Sequence, residues 1–291
     1  MTIANSIERR RTVRIRRSAL LKSHLDTIDR PAIKIAESLA EHRQAFALVY
    51  QEYVQSGYIP TPIPNGEVFS AFNFLPETAV FVVKSYQTVI STLTQFYDSK
   101  LFGLPMDSIY RDELSELREK GRRIAEIGAL ATKSDYRWQN LFMYLCQIMY
   151  WFARYQKVDD LCITVNPKHV LFYKTIFLFE EFGPEKEYPK VAAPAVLLRL
   201  NMDTAENDIK QAYNETDFDC NLYHYFHRMN GNRLENYSEA LIKKGAITVH
   251  DKPRLGELDV QDLIRANGNV LKELTPDQLN FIHSVYPNIK F

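Results

Sequence analysis

From Leu141 to Ala153 the chain is apolar, broken only by Gln147. The span Arg137 to Gln156 predicts a helix, and a helix apolar nearly all round must be covered on every side. The run is shorter than the roughly 20 residues that cross a membrane. Its cover must therefore come from the rest of the chain. Stretches that read as strands lie on either side: Arg123 to Thr132 before it and Leu161 to Val165 after it.

The same alternation extends outward. Ile33 to Ala36 is a short apolar run. Gln44 to Val54 has Phe46, Leu48, Val49, Tyr50 and Tyr53 on one helical face. Pro60, Pro62, Pro64 and Gly66 break the chain after it. Thr78 to Val83 and Thr88 to Tyr97 read as strands joined by a turn at 84–87. Asp107 is placed to cap a helix from Ser108 to Lys120, with Gly121 at its C-terminal stop. Asn166-Pro167 opens another helix, through Thr175. Phe177 to Phe182 and Val196 to Leu200 complete the strands. Residues 30–202 thus predict an α/β (α+β) domain, a mixed sheet with helices on both faces. Residues 203–291 predict a helical C-terminal extension, with a capping box at Thr275 to Gln278.

The 36 basic and 36 acidic residues cancel, which argues against a whole surface built for nucleic acid. The balance is uneven along the chain. Residues 1–24 carry seven basic residues against Glu8, whereas residues 201–291 carry 10 basic and 14 acidic. The segment 1–29 therefore reads as a basic arm. Its plain reading is a poorly ordered tail; the sharper one is a partner-binding element. Nothing else in the chain supports nucleic acid as that partner, while peripheral contact with an anionic membrane surface stays open. Three scattered cysteines without a Cys-x-x-Cys pair argue against a cysteine zinc site and suit a reducing, cytoplasmic compartment. No signal-peptide pattern is visible. His224 and His227 have metal-ligand spacing, but no third ligand is evident, so they read as packed aromatics and no metal is expected.

The order of elements resembles the GNAT acyltransferase fold. More narrowly, the blocks AFALVYQEYVQSGYI (45–59), LPMDSIYRDELSELREKGRRIAEIGALA (104–131), NPKHVLFYKTIFLFEEFG (166–183) and YPKVAAPAVLLRLNM (188–202) resemble FeeM-like N-acyl amino acid synthases. These are relatives of the acyl-homoserine-lactone synthases. The resemblance implies transfer of a long acyl chain from a thioester to the amine of an amino acid. The donor would be acyl-phosphopantetheine on acyl-carrier protein, and no tightly bound cofactor is implied.

Such a reaction needs a base for the amine, a donor for the thioester oxygen and a proton for the leaving thiolate. Glu126 matches the strand-four glutamate of the lactone synthases and is the expected base; the plainer readings are a solvent-facing residue or an ion pair with Arg122 or Arg123. Where those enzymes place an arginine three residues later, this chain has Ala129, beside Gly128 in the expected acceptor region. The backbone N–H of Leu130 or Ala131 is the implied oxyanion donor, because strand four of the GNAT fold splays from strand five. Gly128 permits close approach or a bulge, or is an ordinary core glycine. Asn166 and Tyr173 match the GNAT pattern Asn-x6-Tyr, which makes Tyr173 the implied general acid; the alternative is a core aromatic.

Coenzyme-A-dependent GNATs carry a glycine-rich pyrophosphate loop before the long helix. Residues 131–139 contain no glycine, which favours a carrier-protein donor. Lys133 and Arg137 remain candidates to meet its phosphate. Phe142, Met143, Leu145, Ile148, Met149 and Phe152 offer an acyl slot or simply core. Arg43 and Phe46 loosely resemble the N-terminal arginine and aromatic of the lactone synthases. The competing expectations are a coenzyme-A-dependent GNAT acting on a small amine and a non-catalytic acyl-binding protein.

Overall fold

The computed structural model describes residues 3–22, 24–59, 62–227 and 253–290, the side chains of 3–10 and 64 excepted. Expected features at Pro60 and in the stretch 228–252 of the extension lie outside these residues. The helices are α1 (Ile3–Ser18), α2 (Leu39–Gln55), α3 (Asp107–Glu119), α4 (Leu141–Tyr155), α5 (Pro167–Ile176), α6 (Ala205–Ala212), α7 (Leu222–His227), α8 (Glu257–Ala266) and α9 (Pro276–Val285). The strands are β1 (Pro31–Ile35), β2 (Ala79–Ser85), β3 (Thr88–Tyr97), β4 (Ile124–Thr132), β5 (Asp160–Val165), β6 (Glu180–Glu181), β7 (Lys186–Tyr188) and β8 (Ala193–Asn201).

They form one mixed sheet in the order β1-β2-β3-β4-β5-β8-β6, with β7 on β8. Only β4 and β5 pair in parallel; every other described pairing is antiparallel. Alternating side chains feed two faces. On one, Phe81, Val83, Leu93, Leu161 and Leu198 pack against α4, whose Leu145, Ile148 and Phe152 are almost fully buried. Phe152 meets Phe81 edge-on at 5.4 Å. On the other, Val80, Val82 and Val89 pack against α2 and the C-terminal α8 and α9, while Ile124, Cys162 and Leu197 pack against α3. Among the described residues no helix is long and apolar enough to cross a membrane.

The basic arm is not a loose tail. Residues 3–18 form α1, which buries Ile15 in the α4 core. The Arg11 guanidinium donates to the carbonyls of Thr175 and Ala212, and Arg16 pairs with Asp217 and Asp219. The acidic start of the extension thus holds the basic start of the chain.

Three elements differ from expectation. The long helix begins at Leu141, because Asn140 turns left-handed (φ 55°) and residues 134–139 wind as a 3-10 helix. The expected strand 177–182 shrinks to Glu180–Glu181, because Phe177 caps α5 and Leu178 is left-handed (φ 62°). Met106, not Asp107, occupies the cap position of α3; Asp107 instead accepts from the Leu104 N–H at 2.6 Å. Gly121 does end α3, at φ 68°, and Thr275 and Gln278 do form the capping box of α9.

Candidate active site

The site begins where the sheet opens. β4 and β5 pair from Ile124 against Asp160 to Ile127 against Ile163. Beyond that β4 runs to Thr132 and β5 to Val165 without pairing to each other. On its other edge β4 sets Gly128 opposite Thr94 and Ala131 opposite Thr92, so Ala129 and Leu130 face Leu93 alone. This is a β-bulge, which bends the strand and re-aims its backbone. The left-handed residue is Ala129 (φ 49°), not the neighbouring Gly128. An alanine tolerates that conformation at a cost of order 1 kcal/mol, which the surrounding sheet must supply.

A cavity of about 480 Å³ starts at this opening, a size ordinary for small-molecule sites. Ile127 to Leu130 form one wall. Phe142, Met149, Phe172 and Phe177 make the interior apolar, and Tyr173 and Asn166 also line it. The mouth is polar: Ser56, Lys168 and His169 line it and are exposed.

Glu126 lies on the β4 face that carries Ile124 and Gly128. It is 4% exposed, and its Oε2 accepts the Met106 N–H at 2.8 Å. Burial pushes its carboxyl up to about 8; the Met106 bond and Lys190 oppose the rise, and Asp107 adds to it. Arg122 and Arg123 are not its partners: they pair with Asp160 and Asp159. The phenol of Tyr53 on α2 is pushed up to about 12, by burial first and then by the Glu126 charge. Tyr53 lines the cavity, whereas Glu126 itself does not. A Cβ on Gly128 would stand 3.9 Å from Glu126 Oε1 and 3.7 Å from the Phe96 ring, ordinary contacts. A buried carboxyl that titrates near neutrality is equipped to take a proton from an amine.

Tyr173 is packed among Phe172, Phe177 and Phe179, with ring centroids 5.3 to 6.0 Å away. Burial raises its phenol, so it stays protonated and able to donate. Asn166 caps α5, its Oδ1 accepting the Lys168 N–H at 3.2 Å. Lys133 precedes the 3-10 turn of 134–139, and Arg137 is paired with Glu52 of α2. Leu145 is core and does not reach the cavity lining, nor do Arg43 and Phe46. Arg43 pairs with Glu67 at 3.5 Å, and Phe46 stacks on Phe69 at 5.3 Å. His227 stacks on Tyr223 at 4.6 Å and His224 tilts on Phe218 at 5.7 Å. Tyr53, Lys168 and His169 were not expected at the site. No motif marks them, because they meet the cavity only through the order of the sheet.

The family model described as N-acyl amino acid synthase FeeM matches residues 44–201. Among solved structures, FeeM, an N-acyl amino acid synthase from uncultured soil microbes, matches at 27% identity and a TM-score of 0.56, over 62% of this chain and 95% of that one. The acyl-homoserine-lactone synthase LasI aligns at 12% identity and a TM-score of 0.44, over 60% and 92%. The coenzyme-A-dependent lactone synthase BjaI, with SAM and isopentyl-CoA, aligns at 14% and 0.46, over 73% and 99%. No curated protein matches the sequence. With its family match spanning more than half its length, this chain belongs to the FeeM N-acyl amino acid synthase family and is an N-acyltransferase of GNAT-like fold.

Proposed function

We propose that the chain moves a long acyl group from the thioester of acyl-carrier protein to the amine of an amino acid. The observation that carries this reading is an apolar cavity opening where β4 leaves β5, beside a buried carboxyl raised to about 8. The acyl chain occupies the cavity, and its carbonyl sits at the bulge. The N–H of Leu130 or Ala131 meets the oxygen as charge develops on it. The amine approaches from the Glu126 and Tyr53 side, with Lys190 as the cation for its carboxylate. Glu126 takes the proton the nitrogen loses, directly or through water. As the C–N bond forms and the C–S bond breaks, Tyr173 gives a proton to the thiolate and regains one from solvent.

Charge favours a carrier-protein donor. Residues 131–139 offer no glycine cradle, and Arg137 is already paired with Glu52. Lys168 rims the mouth and Arg14 of α1 lies over Phe172 at 5.0 Å, while burial and these two charges hold the His169 imidazole below its ordinary value, so the positive charge is that of Lys168 and Arg14. A cationic rim suits the single phosphate of a phosphopantetheine arm and an acidic carrier. In this reading residues 30–202 carry the chemistry, the arm 1–29 helps dock the donor, and residues 203–291 form the extension. The donor brings its own prosthetic arm, so no bound cofactor is required. Three buried, free cysteines suit a reducing compartment, and the cytoplasm is assigned on that ground.

Incubation with acyl-carrier proteins and a panel of amino acids, read by mass spectrometry, tests the proposal. An N-acyl amino acid is expected. Absence of any such product would overturn it, and product from acyl-coenzyme A alone would move the donor to coenzyme A.

A further inference from the structure

The family match ends at residue 201, yet two side chains lining the cavity lie beyond it. They are Ile209 of α6 and Phe226 of α7, at 3% and 5% exposure. Their place is the end remote from the opening. β5 and β8 are antiparallel, with Leu161 opposite Leu200, and both residues line the cavity. Val165, at the other end of β5, borders the splay and the exposed mouth. β8 ends at Asn201, one residue past Leu200, and α6 begins at Ala205, which brings Ile209 to that same end.

The floor is held firmly. Trp151 Nε1–H of α4 donates to the Phe226 carbonyl at 3.0 Å, and Gln147 Nε2–H donates to the Tyr225 carbonyl at 2.7 Å. The Tyr150 ring meets Phe226 edge-on at 5.2 Å. Arg154 of α4 pairs with Glu206 of α6 at 2.9 Å, and Tyr213 Oη–H donates to the Ile176 carbonyl at 2.7 Å. A surface fixed by this many bonds to α4 and α5 gives a sharp limit, because packed interiors do not yield smoothly.

We infer that Ile209 and Phe226 form the floor of the acyl cavity, so that the C-terminal extension sets the length of the acyl chain. This rests on the acyl-transfer reading above. From Val165 to Leu161 the strand covers about 13 Å at ~3.3 Å per residue. An extended alkyl chain advances about 1.25 Å per carbon, from bonds of ~1.52 Å at ~111°. Roughly ten to twelve carbons therefore fit between the thioester carbonyl at the splay and the floor. Each methylene that finds room is worth about fourfold in affinity, and the first that does not should end the gain.

Two readouts on the full chain test this. Binding of free fatty acids from eight to sixteen carbons, by calorimetry, requires no turnover. The product profile from a matching series of acyl-carrier proteins requires it. The parent should peak at ten to twelve carbons in both. Phe226→Ala should move the peak at least two carbons longer, with Phe226→Leu as a milder change that keeps an apolar side chain. Ile209→Phe should move it shorter and cost the longest bound acid tenfold or more. Peaks unmoved by both Ile209→Phe and Phe226→Leu, or a parent that binds no fatty acid, would overturn the inference. Length-dependent binding that shifts as stated, without any N-acyl product, would uphold the floor and remove the transfer reading. Product whose length profile ignores these variants would do the reverse.

Discussion

The Met106 N–H, at the cap of α3, donates to Glu126 Oε2 at 2.8 Å. That bond fixes a buried carboxylate against a helix N-terminus, which favours its charged form. Burial still wins, and the group is raised to about 8. If Glu126 is the base, its active form is the ionised one. The rate at limiting substrate should then rise with pH through about 8 and level off above it. Glu126→Gln should remove that limb and lower turnover at neutral pH by about 10²-fold or more. A pH profile of kcat/KM for both proteins checks this.

The same shift has a sign for stability. A carboxyl raised on folding binds more protons in the folded chain than in the unfolded one between the ordinary value of 4.5 and about 8. Folding stability from this group therefore falls as pH rises across that window, by about 5 kcal/mol over its full width. Glu126→Gln should gain stability over the parent between pH 5 and 8, measured by urea unfolding at each pH.

Gly128 stands beside that carboxyl outside the left-handed region, and a Cβ there meets only ordinary contacts. Gly128→Ala should leave the melting temperature within a few degrees of the parent. If substrate passes close to this backbone, the added methyl should cut kcat/KM about tenfold. Thermal scans and kinetics on one preparation separate the two effects.

Arg11 is 7% exposed, lies over the Tyr213 ring at 4.8 Å and bonds two carbonyls from α5 and α6. Arg11→Ala leaves those carbonyls without their donor and should cost about 2–4 kcal/mol in denaturant unfolding. The arm thus contributes to the fold whether or not it also docks a donor.

Docking has its own signature. Lys168→Glu reverses a charge at the mouth and should raise KM for acyl-carrier protein several-fold at low salt. The effect should fade at high ionic strength and be absent with an acyl-pantetheine donor that carries no protein. Steady-state kinetics with both donors at two salt concentrations decide it.

How much of this could be read from residues alone follows the range of the forces involved. Periodicity located α2, the β2–β3 hairpin, β4 and α5, because local pattern decides those elements. It overran α4 at Asn140 and Leu178 in the 177–182 stretch, where single left-handed residues override the run. In the site, Glu126 stood out as one carboxylate in an apolar strand, but its role as base and that of Tyr173 as acid were implied only by the resemblance to lactone-synthase and GNAT patterns. Arg43 and Phe46 attracted attention by type and lie away from the cavity. Tyr53, Ile209 and Phe226 carry no local signal; only the sheet order brings α2, α6 and α7 to one cavity.

The most direct test of the central claim is a single-turnover reaction with a C10 or C12 acyl-carrier protein and the accepted amino acid, run with the parent and Glu126→Gln side by side. The account predicts equal amounts of N-acyl amino acid and free carrier thiol, formed about 10²-fold more slowly by the variant at neutral pH. Carrier deacylated to free fatty acid without amide, or equal rates in the two proteins, would contradict it.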